Sequence, residues 1–151
     1  MSGSLSMQHV TGHLLSRSEA GPVLLGSRCQ SCGEHYFPAT SSCTRCCGTE
    51  LGECVLGNRG ELWSWTVQGF LPKSPYNSGE SSEDFQPYGV GYVQLSCGLK
   101  VESRLTCADP QQLHIGMPMQ LVEVDYGQKE GHLLRTFAFA PAAGPAAQEK
   151  Q

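Results

Sequence analysis

Cys29-Gln30-Ser31-Cys32-Gly33 and Cys43-Thr44-Arg45-Cys46-Cys47-Gly48 are two short cysteine pairs with ten residues between them. Two thiolates three residues apart on a tight turn grip one side of a Zn²⁺ ion, and a second such pair closes the tetrahedron. Gly33 and Gly48 let the backbone turn sharply beside each pair. A closed four-thiolate shell leaves no position for water or substrate. Cys29, Cys32, Cys43 and Cys46 are therefore the expected ligands of one structural zinc. Independent free thiols and disulfides are the alternatives, and the spacing weighs against both. Cys47 could take the place of Cys46, although the three-residue spacing favours Cys46. His35 is a ligand only in principle and reads better as a surface or packing residue. Iron is the other metal that four thiolates accept.

The 151 residues bound the rest: one medium domain or two small ones. Hydrophobic residues make up 39% and charged residues 16%, with 18 glycines and 9 prolines, a mixture that suits a turn-rich β protein. No apolar run approaches the ~20 residues that span a membrane. The N-terminus has neither the basic start nor the apolar stretch of a signal peptide, so a cytoplasmic location is expected. Net charge is −4, and the ten Lys and Arg residues form no run, which argues against a nucleic-acid partner.

The chain divides into four parts. Residues 1–21 form an N-terminal segment. Apolar Met7, Val10, Leu14 and Leu15 there allow a short helix, against which Gly12 counts. Residues 22–52 hold the metal knuckles, with a strand expected over Pro22–Arg28. Residues 53–141 alternate short β-branched and aromatic segments with turn clusters: Glu53–Leu56, Glu61–Val67, Tyr88–Leu95, Lys100–Leu105, Met119–Asp125 and Leu133–Phe139. The fold class is mainly β, a four-cysteine metal-binding segment followed by a small Greek-key barrel of the OB type. Residues 142–151 are a low-complexity tail expected to be disordered.

Strict alternation along the second strand puts Trp63, Trp65 and Val67 on one face and Leu62, Ser64 and Thr66 on the other. The tryptophans either fill the barrel or anchor a ligand or partner, since Trp is enriched at interface hot spots. The spare cysteines Cys47, Cys54, Cys97 and Cys107 lie in no motif that would lower a thiol pKa, and no catalytic constellation is visible.

Taken in order, the paired cysteines, the Gly60-Glu61-Leu62-Trp63-Ser64-Trp65-Thr66-Val67 strand, Pro87-Tyr88-Gly89-Val90-Gly91-Tyr92-Val93-Gln94-Leu95, the Ile115-Gly116-Met117-Pro118 reversal and the closing Phe137-Ala138-Phe139-Ala140-Pro141 resemble the acyl-CoA-associated OB-fold family with an N-terminal rubredoxin-like zinc ribbon. The resemblance runs from about Leu24 to Pro141, and Cys47 departs from it, standing where the second knuckle usually has glycine. It implies a non-catalytic, zinc-binding accessory subunit in a hetero-oligomer. Such a subunit scaffolds a thiolase-like acyltransferase or aldolase that owns the catalytic residues, and acyl-CoA is shared with that partner. A hot-dog-fold enoyl-CoA hydratase is the alternative partner, and a single-stranded nucleic-acid-binding ribbon/OB module the alternative function. A CoA contact calls for Lys or Arg near an aromatic group. Lys73 and Tyr76 in the long Phe70–Pro87 loop and Arg104 at a strand end are the candidates, with Trp63 and Trp65 for CoA or the partner interface. Acidic Glu80, Glu83 and Asp84 are expected on the solvent side.

Overall fold

Period-2 burial governs the molecule. In the computed structural model, which describes residues 6–9, 12–75, 80–129 and 131–142, ten strands and one 3-10 turn (Gly12–Leu14) follow one another. The strands are β1 (Ser6–His9), β2 (Leu15–Ser18), β3 (Gly21–Cys29), β4 (His35–Tyr36), β5 (Leu51–Gly57), β6 (Arg59–Gln68), β7 (Tyr88–Leu95), β8 (Lys100–Leu105), β9 (Pro118–Lys129) and β10 (His132–Pro141). On β7, Gly89, Gly91, Val93 and Leu95 point inward, and on β8, Val101, Ser103 and Leu105 do. The strands expected over Tyr88–Leu95 and Lys100–Leu105 form with those bounds.

β6, β7, β8, β10 and β9 close on one another into a five-stranded barrel, the β8–β10 pairing being parallel and the others antiparallel. Closure leaves the sheet without the open edges that invite aggregation. The tight β7–β8 turn uses Gly98 at φ 93°, whose N–H donates to Leu95 O. A left-handed residue here favours glycine, which has no Cβ to clash.

The other sheet carries the metal knuckles. β3 is its spine, pairing with β2 and β4 along one edge and β5 along the other. The Glu53–Leu56 segment is a strand as its sequence indicates, but within β5 it pairs with β3 rather than with a barrel strand. The helix allowed for the N-terminal segment does not form among the described residues. β1 lies parallel to β10, and β2 folds back on β3 through a hairpin whose Ser18 hydroxyl accepts from Ala20 N–H and donates to Gly21 O. Gly12 weakens a helix there, while β10 and β3 offer strand partners to Ser6–His9 and Leu15–Ser18.

One hydrophobic cluster joins the two sheets. Leu24 of β3 and Leu56 of β5 share it with Leu62, Val93, Leu105, Met119, Leu121 and Phe139 of the barrel. Phe37, on the knuckle side, packs edge-on against Phe137 of β10, and Arg17 Nη2 lies 2.6 Å from Glu123 Oε1. The ribbon is thereby fixed to the barrel wall. Gly26, at the centre of β3, has no room for a side chain: a Cβ would overlap the Tyr36 carbonyl oxygen and come within 2.6 Å of Leu56 Cδ1. Gly26→Ala is therefore expected to lower stability by about 1–3 kcal/mol, read from urea or thermal unfolding at constant metal.

Candidate functional site

The two cysteine pairs fold into matching knuckles. In the first, Gly33 N–H donates to Cys29 O and Cys29 N–H to Glu34 O; in the second, Cys47 N–H donates to Cys43 O and Cys43 N–H to Gly48 O. The matching position is left-handed in both, at φ 81° for Gly33 and φ 64° for Cys47. Cys47 is the positive-φ residue other than glycine among the described residues. The geometry of the second knuckle is thus kept with a cysteine in the glycine position, at the steric cost a Cβ brings there. The Cys47 side chain is exposed, and it is Cys46 that joins the other three.

The sulfurs of Cys29, Cys32, Cys43 and Cys46 lie within 4.8 Å of one another. The close pairs cross between knuckles: Cys29 to Cys46 at 3.6 Å and Cys32 to Cys43 at 3.5 Å. Zinc–sulfur bonds of about 2.3 Å place tetrahedral sulfurs about 3.8 Å apart, so one ion fits between them. Gly48 completes the fit, since a Cβ there would stand 3.2 Å from Cys46 Sγ and 3.5 Å from Cys29 Sγ.

Electrostatics point the same way. The backbone N–H of Cys32 leads in holding the Cys29 thiol below its ordinary value. The Tyr36 hydroxyl, 3.1 Å from Cys43 Sγ, and then the N–H groups of Cys46 and Arg45 bring Cys43 down to about 6. The N–H of Gly48 lowers Cys46, but the neighbouring thiols of Cys29, Cys32 and Cys43 and burial outweigh it and push Cys46 up to about 12. For Cys32 the N–H of Glu34 is outweighed in the same way by burial and the Cys43 thiol. Four like charges cannot crowd together without a cation. A dication among them removes the conflict, and the N–H and O–H donors then serve the bound thiolates.

Tyr36 is the residue that sequence reasoning missed. Its hydroxyl lies 3.1 Å from Cys43 Sγ and accepts from Thr44 N–H at 2.9 Å. The signal that could have found it was its phenol, a polar group placed between two thiolate pairs. His35 pairs with Arg28 across β3–β4 and lies outside the sulfur cluster.

The remaining candidates separate. A β-bulge between Leu62 and Ser64 breaks the alternation of β6. Trp63 is consequently exposed while Trp65 packs against the core, so the two do not share a face as strict alternation required. Arg104 stacks over Tyr88, 3.9 Å from the ring centroid, and Phe85 meets Tyr88 edge-on at 5.9 Å. This stack borders a cleft of about 330 Å³ lined also by Glu80, Ala108 and Asp125. Glu80, expected on the solvent side, is exposed and sits on that rim. Lys73 stands exposed on its loop, outside the cleft lining, and Tyr76 falls outside the described residues. A larger cleft of about 450 Å³ between the β5–β6 turn and the β7–β8 turn contains Arg59 and Glu61 but none of the predicted residues. Of the spare thiols, Cys54 is half-buried against the core, Cys97 is exposed at the hairpin, and Cys107 faces Gln112 Oε1 at 3.7 Å.

Comparison with known proteins gives a consistent picture. The ChsH2 rubredoxin-like zinc ribbon domain matches residues 20–52, and the ChsH2 C-terminal OB-fold domain matches residues 54–124. A DUF35 domain-containing scaffold protein of Methanocaldococcus jannaschii is 29% identical over 100 residues, about two thirds of its length and 66% of each chain. A scaffold protein of the same description from Methanothermobacter thermautotrophicus is 29% identical over 78% of this chain and 86% of its own. The benzoylsuccinyl-CoA thiolase subunit BbsA of Thauera aromatica is 30% identical over 63% of this chain and 65% of its own. The solved structure of an Ltp2-ChsH2(DUF35) aldolase superposes with a TM-score of 0.58 at 24% identity over 80% of this chain and 86% of its own, which shows the shared fold.

Two substitutions test the knuckle reading. Cys43→Ser is expected to take zinc from about one ion per chain to well under half by atomic absorption. Cys47→Gly is expected to keep the zinc and raise stability by about 1 kcal/mol, because glycine adopts the left-handed conformation without strain.

Proposed function

This chain belongs to the ChsH2 family of rubredoxin-like zinc-ribbon and OB-fold proteins, and on that premise we propose that it is a non-catalytic accessory subunit scaffolding a thiolase-like acyltransferase or aldolase. The observation that carries the reading is the closed four-thiolate site joined to the barrel through one core. A metal shell filled by protein sulfur stiffens a fold but offers no reactive position. The names of the relatives, a thiolase subunit in one case and scaffold proteins in others, support the same role.

In this proposal Cys29, Cys32, Cys43 and Cys46 hold one structural zinc, the β3 sheet through Gly57 acts as the ribbon, and the strands from Arg59 to Pro141 act as the barrel. The partner supplies the catalytic groups. Arg104, held flat on Tyr88 at the mouth of the 330 Å³ cleft, is the residue for a CoA phosphate, because guanidinium pairs with phosphate in a planar fork. Lys73, exposed on the loop that precedes β7, is the second candidate for a CoA phosphate. Among the described residues no helix is long and apolar enough to cross a membrane. None of the eight cysteines is in a disulfide, which supports a reducing compartment such as the cytoplasm.

Co-purification from the native host, with the companion identified by mass, tests the scaffold role. A thiolase-like protein in stable association is the expected result, with acyl-CoA turnover in the complex and none in the isolated chain. Turnover by the isolated chain that disappears with Cys107→Ser would overturn the reading. In the complex, Arg104→Ala is expected to raise the KM for acyl-CoA about tenfold, the loss of one charged hydrogen bond, with little change in kcat.

A further inference from the structure

The barrel presents an apolar anchor on its outer wall that the zinc site and the Arg104 cleft do not use. In register, Leu62 of β6, Val93 of β7 and Val101 of β8 form a buried row. The residues beside that row turn outward: Glu61 opposite Gln94, Gln94 opposite Lys100, and Tyr92 opposite Glu102. The bulge adds Trp63 to this outer surface. Trp63 is 50% exposed and Tyr92 42%. They meet edge-on with centroids 6.3 Å apart, and Lys100 Nζ sits 4.3 Å from the indole centroid.

The reversal before β9 brings a third apolar side chain to the same place. Gly116 N–H donates to Leu62 O at 2.7 Å, and Leu62 N–H donates to Met117 O. Leu113 and Met117 are buried and hold the reversal down, whereas Ile115 between them is 62% exposed. Ile115 adjoins Gly116 just as Trp63 adjoins Leu62, so the backbone bonds join the two segments that carry these exposed side chains. Three large exposed apolar residues on these two joined segments and β7, one of them pinned by a cation and an aromatic edge, are the kind of surface that marks interfaces. A tryptophan already held in one orientation loses little side-chain freedom on docking.

Resting on the scaffold reading above, we propose that Trp63, Tyr92 and Ile115 are the anchor through which the chain docks the thiolase-like partner. The occupant is a protein surface with an apolar pocket for the indole and a cationic rim. Charge complementarity selects it: on an acidic chain, the carboxylates of Glu61 and Glu102 flank the patch and outnumber Lys100, which lies against the indole.

The experiment uses the thiolase-like protein that co-purifies with the wild-type chain. Trp63→Ser and Ile115→Ser are each expected to weaken its binding at least tenfold in titration calorimetry, with zinc content and melting temperature held. Glu61→Lys combined with Glu102→Lys is expected to weaken it as well and to flatten its salt dependence. The chain has two tryptophans, so Trp65→Phe leaves Trp63 as the reporter. Its emission is expected to shift to the blue when the partner is added. Wild-type binding with unshifted emission and unchanged affinity in both serine variants would overturn the anchor and leave the scaffold reading standing. A blue shift produced by raising the chain's own concentration would assign the patch to a second copy, and one produced by CoA alone would assign it to ligand; either overturns the proposal. Failure of the wild-type chain to bind any such protein removes the scaffold reading and this inference with it.

Discussion

Four sulfur atoms within 4.8 Å of one another set the condition that the ribbon must meet. Ionised together they repel, and a divalent cation among them resolves the conflict. The donors arranged around them are consistent with that state. Tyr36, Arg45 and Cys46 direct O–H and N–H groups at Cys43 Sγ, the pattern that stabilises a bound thiolate. β4 is only two residues long, and its worth lies in placing Tyr36 over the second knuckle. The rest of the sheet follows from this: β3 ends in Cys29, and β5 begins just beyond the second knuckle.

The same sheet reaches the barrel without a linker. β5 ends at Gly57 and β6 starts at Arg59, so a single residue separates the ribbon strand from the barrel strand. Leu24 and Leu56 are buried in the barrel's own cluster. Rigidity conferred by the metal on β3 is therefore passed into the barrel wall through packed side chains, which have little room to adjust. Gly26 shows how close the approach is, since the space beside it is filled by a backbone oxygen and by Leu56. Such a molecule presents surfaces in fixed relation to one another, the property a scaffold needs. Its charged stack at Arg104 and its apolar wall at Trp63 stand at different places along the outward face of β7 and β8.

Much of this was legible in the sequence because the signals were local. Cysteines three residues apart specify a knuckle whatever surrounds them, and period-2 alternation marked out Tyr88–Leu95 and Lys100–Leu105. Readings that depended on long-range pairing fared differently. A helix in the N-terminal segment gave way to strands because β3 and β10 offered edges that no local propensity reveals. Glu53–Leu56 was legible as a strand, but its membership of the ribbon sheet was fixed by β3, some thirty residues earlier.

Sequence alone determined the metal-binding chemistry, the β class and the family pattern, since each rests on residue type and short spacing. Tertiary structure decided which side chains face outward. One inserted residue at the Leu62–Ser64 bulge sent Trp63 to the surface and left Trp65 in the core. A bulge is created by the partner strand's register, with two residues facing one across the ladder, and strict alternation along a single strand has no means of announcing it.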